Sequence, residues 1–237
     1  MDEKYCYPNS DVLRNKYDIR DKKLLERFEG QKIITKLIGL DINTNKINAT
    51  YDIKHLVSVH KYLFGDIYDW AGCFRTENLY KSERVLSGGS AEYAEYKDIN
   101  TELELLLKEY GELKWSEVEQ INNVVTEFLI RLWTIHPFRE GNTRTCLTFL
   151  WHYLTTKGIS FRVELLRKNP MYVRDSLVMA NYGEKQYIQK IMNDAMADFG
   201  EDNLLVEPFI VSNEEYQIAK SDYETFRAKY DIKKSKD

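Results

Sequence analysis

The chain has 237 residues, of which 34 are Lys or Arg and 38 Asp or Glu, for a formal net charge of −4. That balance argues against a general nucleic-acid binder, which carries a basic face, and no apolar run is long enough to span a bilayer. With 43% apolar residues but only 11 Gly and 4 Pro, the composition favours helices over a turn-rich sheet sandwich. Cys6, Cys73 and Cys146 are far apart in sequence, which fits free thiols in a reducing compartment. Met1-Asp2-Glu3-Lys4 lacks a secretory pattern, so a soluble, cytoplasmic protein is expected, unless a route not visible in the sequence delivers it into a host cell.

Asp21 is placed to cap a helix over about 22–38, with Leu24, Leu25, Phe28, Ile33, Ile34 and Leu37 near the helical period. A second helix is predicted over 52–64, ended by Gly65-Asp66. The segment 67–80 contains Asp69-Trp70-Ala71-Gly72 and then Arg75. Next, Lys81-Ser82-Glu83-Arg84-Val85-Leu86 and Gly88-Gly89 suggest a small hairpin flap, the one non-helical feature expected. No Gly-Lys-Ser/Thr follows, so this is not a P-loop.

A helix is predicted over 91–110, with Leu103, Leu105, Leu106 and Leu107 as core candidates. Ser116-Glu117-Val118-Glu119 reads as a capping box opening a helix whose stripe is Val118, Ile121, Val125, Phe128, Leu129 and Leu132. Further helices are expected over 143–156, from Pro170 to 181, over 184–199 and over 214–230. Glu207-Pro208 marks a boundary before a basic tail.

Between two apolar helices stands His136-Pro137-Phe138-Arg139-Glu140-Gly141-Asn142-Thr143-Arg144-Thr145. Pro137 disfavours helical geometry at His136 and ends the preceding helix. Phe138 is expected to point inward and pin the loop. The Glu140 carboxylate suits Mg²⁺, and Asn142 can cap the next helix. The amides opening that helix favour an anion, and Arg144, one turn in, suits phosphate. A base, a cation holder and a polyphosphate cradle in one short stretch point to handling of a phosphate ester.

This stretch resembles the H-P-F-x-[D/E]-G-N-x-R signature of the Fic (Fido) family. The resemblance extends to Tyr7-Pro8, to Val12 through Lys16, to Leu63 through Gly72 and to Tyr172 through Asn181. It implies an all-α, Fic-type helical domain with a small β-hairpin flap, spanning 1–200 with its core at 50–200 after a helical lead-in at 1–49. Residues 201–237 would then be a C-terminal helical extension and tail.

It further implies Mg²⁺-dependent transfer of AMP from ATP to a Ser, Thr or Tyr hydroxyl of a target protein, with auto-modification as a side reaction. His136 would be the base and Glu140 the metal ligand. Nucleotide contacts would come from Phe138, Gly141, Asn142, Thr143, Arg144, Thr145, Tyr172 and Asn181, and residues 81–86 would align the target segment. The resemblance also leaves room for a separate antitoxin peptide and leaves the oligomeric state open; neither a membrane nor nucleic acid is expected as a partner.

Two departures stand out. Thr143 replaces a common Gly, where its side chain could crowd the phosphates, and Leu147 replaces a common second arginine. The nearest approach to the family's inhibitory [S/T]-x-x-x-E-[G/N] segment is Leu25-Glu26-Arg27-Phe28-Glu29-Gly30, with the wrong first residue, so no glutamate–arginine restraint is expected. The alternatives are transfer of UMP or GMP, a Doc-like phosphorylation (disfavoured by Gly141, where Doc-like members carry a bulkier residue), or a degenerate binding module without activity.

Overall fold

The computed structural model describes residues 4–196, so the expected helix at 214–230 and residues 197–199 of the last expected core helix lie outside it. Eight helices are found among the described residues: α1 Lys22–Ile42, α2 Ile53–Phe64, α3 Ile99–Gly111, α4 Ile121–Ile135, α5 Asn142–Thr156, α6 Val163–Lys168, α7 Pro170–Asn181 and α8 Gln186–Met196. The only β pairing among these residues is an isolated bridge between Cys6 and Leu13.

α1 starts where the sequence placed it, with an Asp21 carboxylate oxygen accepting from the Leu24 N–H at 2.8 Å. Its buried face is Leu25, Glu29, Ile33 and Leu40, whereas Leu24 and Ile34 are exposed. Asp52 caps α2 in the same way through the His55 N–H. α4 is the central element, packing on α3, α5, α7 and α8. Its Val125, Phe128, Leu129, Leu132 and Trp133 are fully buried, as expected of a helix that is apolar around most of its circumference.

Three expectations need correction. The 116–119 capping box does not form: residues 115–117 make one tight turn, Gln120 is left-handed, and α4 starts at Ile121 with no side-chain cap. Trp115 is drawn inward, where its indole N–H donates to the Tyr153 hydroxyl, and this tertiary contact overrides the local signal. Residues 91–98 are not helical, because the Glu92, Ala94 and Tyr96 N–H groups bind Asn181, Thr134 and Asn78 rather than preceding carbonyls; Leu105 is exposed. The segment 81–90 forms no hairpin. A 3-10 turn at Arg84–Leu86 is closed by bonds from the Glu83 and Gly89 N–H groups to Gly89 O and Leu86 O, with Val85 and Leu86 buried beneath it.

Two fully buried histidines tie α2 to its neighbours. His55 Nε2 lies 2.9 Å from His152 Nδ1 on α5. His60 accepts from the Gly72 N–H through Nδ1 and donates through Nε2 to the Glu140 carbonyl, 3.0 Å away. Burial, with His152 adding to it at His55, lowers both pKa values to about 4. In the unfolded chain both protonate near pH 6.5, so the unfolded state gains protons first as pH falls. Stability is therefore full above pH 6.5 and is lost towards pH 4. Urea titrations at pH 7 and pH 5 are expected to differ by about 2 kcal/mol per imidazole, and equal stabilities would overturn this account.

Candidate active site

His136 sits in the left-handed region (φ 50°, ψ 57°) as the cap that ends α4. This turn is gripped from below by Arg75, which is 2% exposed. The Arg75 guanidinium donates to the carbonyls of His136 (2.8 Å), Glu77 (2.9 Å), Ile135 and Ala94, and its backbone N–H donates to Pro137 O at 2.8 Å. A cation at the end of α4 both satisfies orphan carbonyls and opposes the negative end of the helix dipole.

The His136 ring is buried against Tyr93, with ring centroids 3.9 Å apart. Its Nδ1 faces the Trp133 carbonyl at 3.2 Å; a carbonyl only accepts, so Nδ1 carries the proton. Nε2 is left with a lone pair and no partner among the described residues. Burial pushes the imidazole pKa well below its ordinary value, and the Lys81 and Arg174 charges reinforce this. At neutral pH the ring is an unprotonated base.

Phe138 is fully buried and stacked on His60 at 3.8 Å. It pins the loop inward and cannot touch a ligand, which corrects its placement among the nucleotide contacts. Asn142 is likewise not a helix cap: its Oδ1 accepts from Phe138 N–H and its Nδ2 donates to Phe138 O, closing the loop on itself. Gly141 is the N-cap of α5, at φ +80°. A Cβ there would stand 2.2 Å from the Phe64 ring, so glycine is required by packing against the core as well as by its backbone conformation.

The N–H groups of Asn142, Thr143 and Arg144 open α5 and have no preceding carbonyl to bind. They border a pocket of about 150 Å³ that His136, Glu140, Lys81 and Arg174 also line. That is smaller than ordinary ligand pockets of roughly 300–1,000 Å³, because local side chains partly fill it. Lys81 Nζ reaches Glu140 Oε2 at 3.1 Å. Burial works to raise the Glu140 pKa, yet Lys81, Arg144 and the Gly141 N–H hold the carboxyl well below its usual range.

Thr143 lines the pocket, with its Oγ1 turned back to accept from the Trp133 indole at 2.9 Å. Thr145 and Leu147 are buried in the core. Tyr172 donates to the Tyr187 carbonyl, and Asn181 brackets the Glu92 backbone from both sides. Neither lines the pocket. Of the segment at 81–86, Lys81 alone reaches it, Ser82 is exposed, and Glu83 and Arg84 are bound to α7.

Glu29 nevertheless meets an arginine, the motif's Arg144 and not the position held by Leu147. Glu29 of α1, 8% exposed, places Oε1 2.6 Å from Arg144 Nη1, while its other oxygen accepts from the Tyr68 hydroxyl. Sequence reasoning passed over this pair, together with Arg75 and Arg174. All three join segments far apart in the chain, and no local period marks them.

Residues 50–154 match the family model described as Fic/DOC family. The chain is 24% identical over 195 residues to protein adenylyltransferase VbhT of Bartonella schoenbuchensis, covering 82% of this chain but 39% of that protein. It is 27% identical over 186 residues to the probable protein adenylyltransferase y4lH of Sinorhizobium fredii, covering 78% and 91% respectively. Among solved structures it resembles BepC of Bartonella tribocorum with bound AMPPNP, at a TM-score of 0.68 and 20% identity over 82% of this chain and 97% of that one. An N-terminal Fic domain from Bartonella quintana gives a TM-score of 0.65 at 21% identity, covering 81% and 90%. These structural likenesses establish an all-helical Fic fold.

Gly141→Ala is expected to destabilise the fold by about 3 kcal/mol or more, from left-handed strain and overpacking. Part of that cost should vanish in a Phe64→Ala background. Denaturation of both single variants and the double variant measures the coupling, and strict additivity would refute the contact.

Proposed function

We propose that the chain is a protein adenylyltransferase that moves AMP from ATP onto a Ser, Thr or Tyr hydroxyl of a target protein. The observation that carries this reading is the unpartnered His136 Nε2, in the same pocket as the open amides of α5. The target hydroxyl gives its proton to Nε2 as its oxygen attacks the α-phosphorus, and pyrophosphate leaves. The N–H groups of Asn142, Thr143 and Arg144 meet the charge that develops on the phosphates, and Arg144 binds the leaving group.

Glu140 is the residue that would hold Mg²⁺. It is an ionised carboxylate on the pocket wall, and no cluster of three acidic, His or Cys ligands occurs among the described residues. One carboxylate with phosphate oxygens and water is the usual Mg²⁺ arrangement. The ion, when bound, would neutralise phosphate charge, and Lys81 would have to release Glu140 to admit it.

The geometry bears on the competing readings as well. Thr143 turned towards Trp133 removes one reason to regard the site as degenerate. Gly141 packed under Phe64 leaves no space for the bulkier residue of a Doc-like site. The Glu29–Arg144 pair describes a restrained resting state, in which a seat arginine is already engaged.

With lysate proteins as acceptors, label is expected to transfer from α-labelled and not γ-labelled ATP; the reverse pattern would make the protein a kinase. His136→Ala should reduce transfer by about 10² to 10⁴. Glu29→Gly should raise transfer several-fold by freeing Arg144, and an unchanged rate would show that the pair does not restrain the reaction.

A further inference from the structure

Arg174, on α7, lines the pocket and belongs to no recognised part of the motif. Its Nε and Nη2 bind the Glu83 carboxylate in a two-point fork, at 3.1 and 2.6 Å. The fork occupies one edge of the guanidinium. Nη1, on the other edge, has no acceptor among the described residues and is not sealed from solvent.

Glu83 is 2% exposed and also accepts from the Tyr93 hydroxyl, whose ring lies against His136. The next residue repeats the arrangement in reverse, with Arg84 bound to the buried Asp175. Two crossed ion pairs, above the buried Val85 and Leu86, therefore fix Arg174 in register. A planar guanidinium held by one edge is preorganised to present the other, which a flexible lysine cannot reproduce.

The rest of the pocket wall explains why such an edge is useful. Lys81 is engaged by Glu140 and Arg144 by Glu29, so neither cation is wholly available to a ligand in this state. Leu147, one turn beyond Arg144, is packed in the core and offers no charge. Arg174 lines the pocket and is anchored through Nε and Nη2, which leaves Nη1 unengaged among the described residues.

We propose that Arg174 is a second phosphate-binding arginine, contacting the leaving pyrophosphate end of a nucleoside triphosphate, with Glu83 as its positioning residue. The proposal rests on the nucleotidyl-transfer reading and adds to it a residue that selects triphosphate over monophosphate.

The test is equilibrium binding of ATP, ADP and AMP, each with Mg²⁺, to the full chain and to its Arg174→Met, Arg174→Lys and Glu83→Gln variants, with melting temperatures recorded. Arg174→Met is expected to weaken ATP at least tenfold and leave AMP within twofold. Arg174→Lys should fall between Arg174→Met and the wild type, and it carries the test if Arg174→Met does not fold. Glu83→Gln should shift ATP in the same direction by less. Equal weakening of ATP and AMP would assign Arg174 a merely structural role and overturn the proposal, as would ATP binding unchanged in a folded Arg174 variant. Failure of the wild type to bind any of the three nucleotides would overturn the transfer reading and the proposal with it.

Discussion

A buried guanidinium holds this site together. Arg75 donates to main-chain carbonyls on both sides of the His136 turn and has no carboxylate bound to it among the described residues. Hydrogen bonds from a charged donor are stronger than those from neutral ones, and removing Arg75 would orphan several buried carbonyls at once. His136 can keep an uncommon left-handed backbone before a proline because its carbonyl is secured there. The tautomer, with its proton on Nδ1 facing the Trp133 carbonyl, depends on that fixed backbone.

His60 does the same for the other half of the loop. Its two nitrogens have forced roles, accepting from Gly72 and donating to the Glu140 carbonyl, while its ring is stacked on Phe138. Gly141 then turns over Phe64, and Asn142 seals the loop back to Phe138. The side chains that set the geometry face the core, while backbone amides, one carboxylate and the cations line the pocket. A pocket built in this way is preorganised for charge, because its donors are already oriented.

The His-Pro turn, the helix start behind it and the amphipathic stripe of α4 were legible in the sequence, since each is set by neighbours within one or two turns. The capping box at Ser116 and the hairpin at 81–90 were misread for a common reason. Local signals there were competing with tertiary partners: Trp115 with Tyr153 in one case, and the Glu83–Arg174 and Arg84–Asp175 pairs in the other. Glu29 was passed over because the first residue of its segment was wrong, yet the pairing depends on where α1 lies across α2 and on the Tyr68 hydroxyl that steadies the carboxylate. A motif comparison weighs positions singly, whereas the ion pair needs only the carboxylate to arrive.

The two departures from the family signature can be weighed against this geometry. Thr143 contributes its backbone amide while its hydroxyl serves the Trp133 indole, so the substitution ties α5 to α4 and leaves the amide row intact. Leu147 has the larger consequence, because a buried aliphatic side chain removes any cation from that turn of α5. Further positive charge at the pocket comes instead from Lys81 and Arg174, neither of them on the motif helix. The field at the pocket is therefore assembled from three separate elements: α5, the 81–90 turn and α7. A pocket so built depends on that turn staying docked, which gives the crossed ion pairs to α7 a part in the electrostatics of the site as well as in the fold.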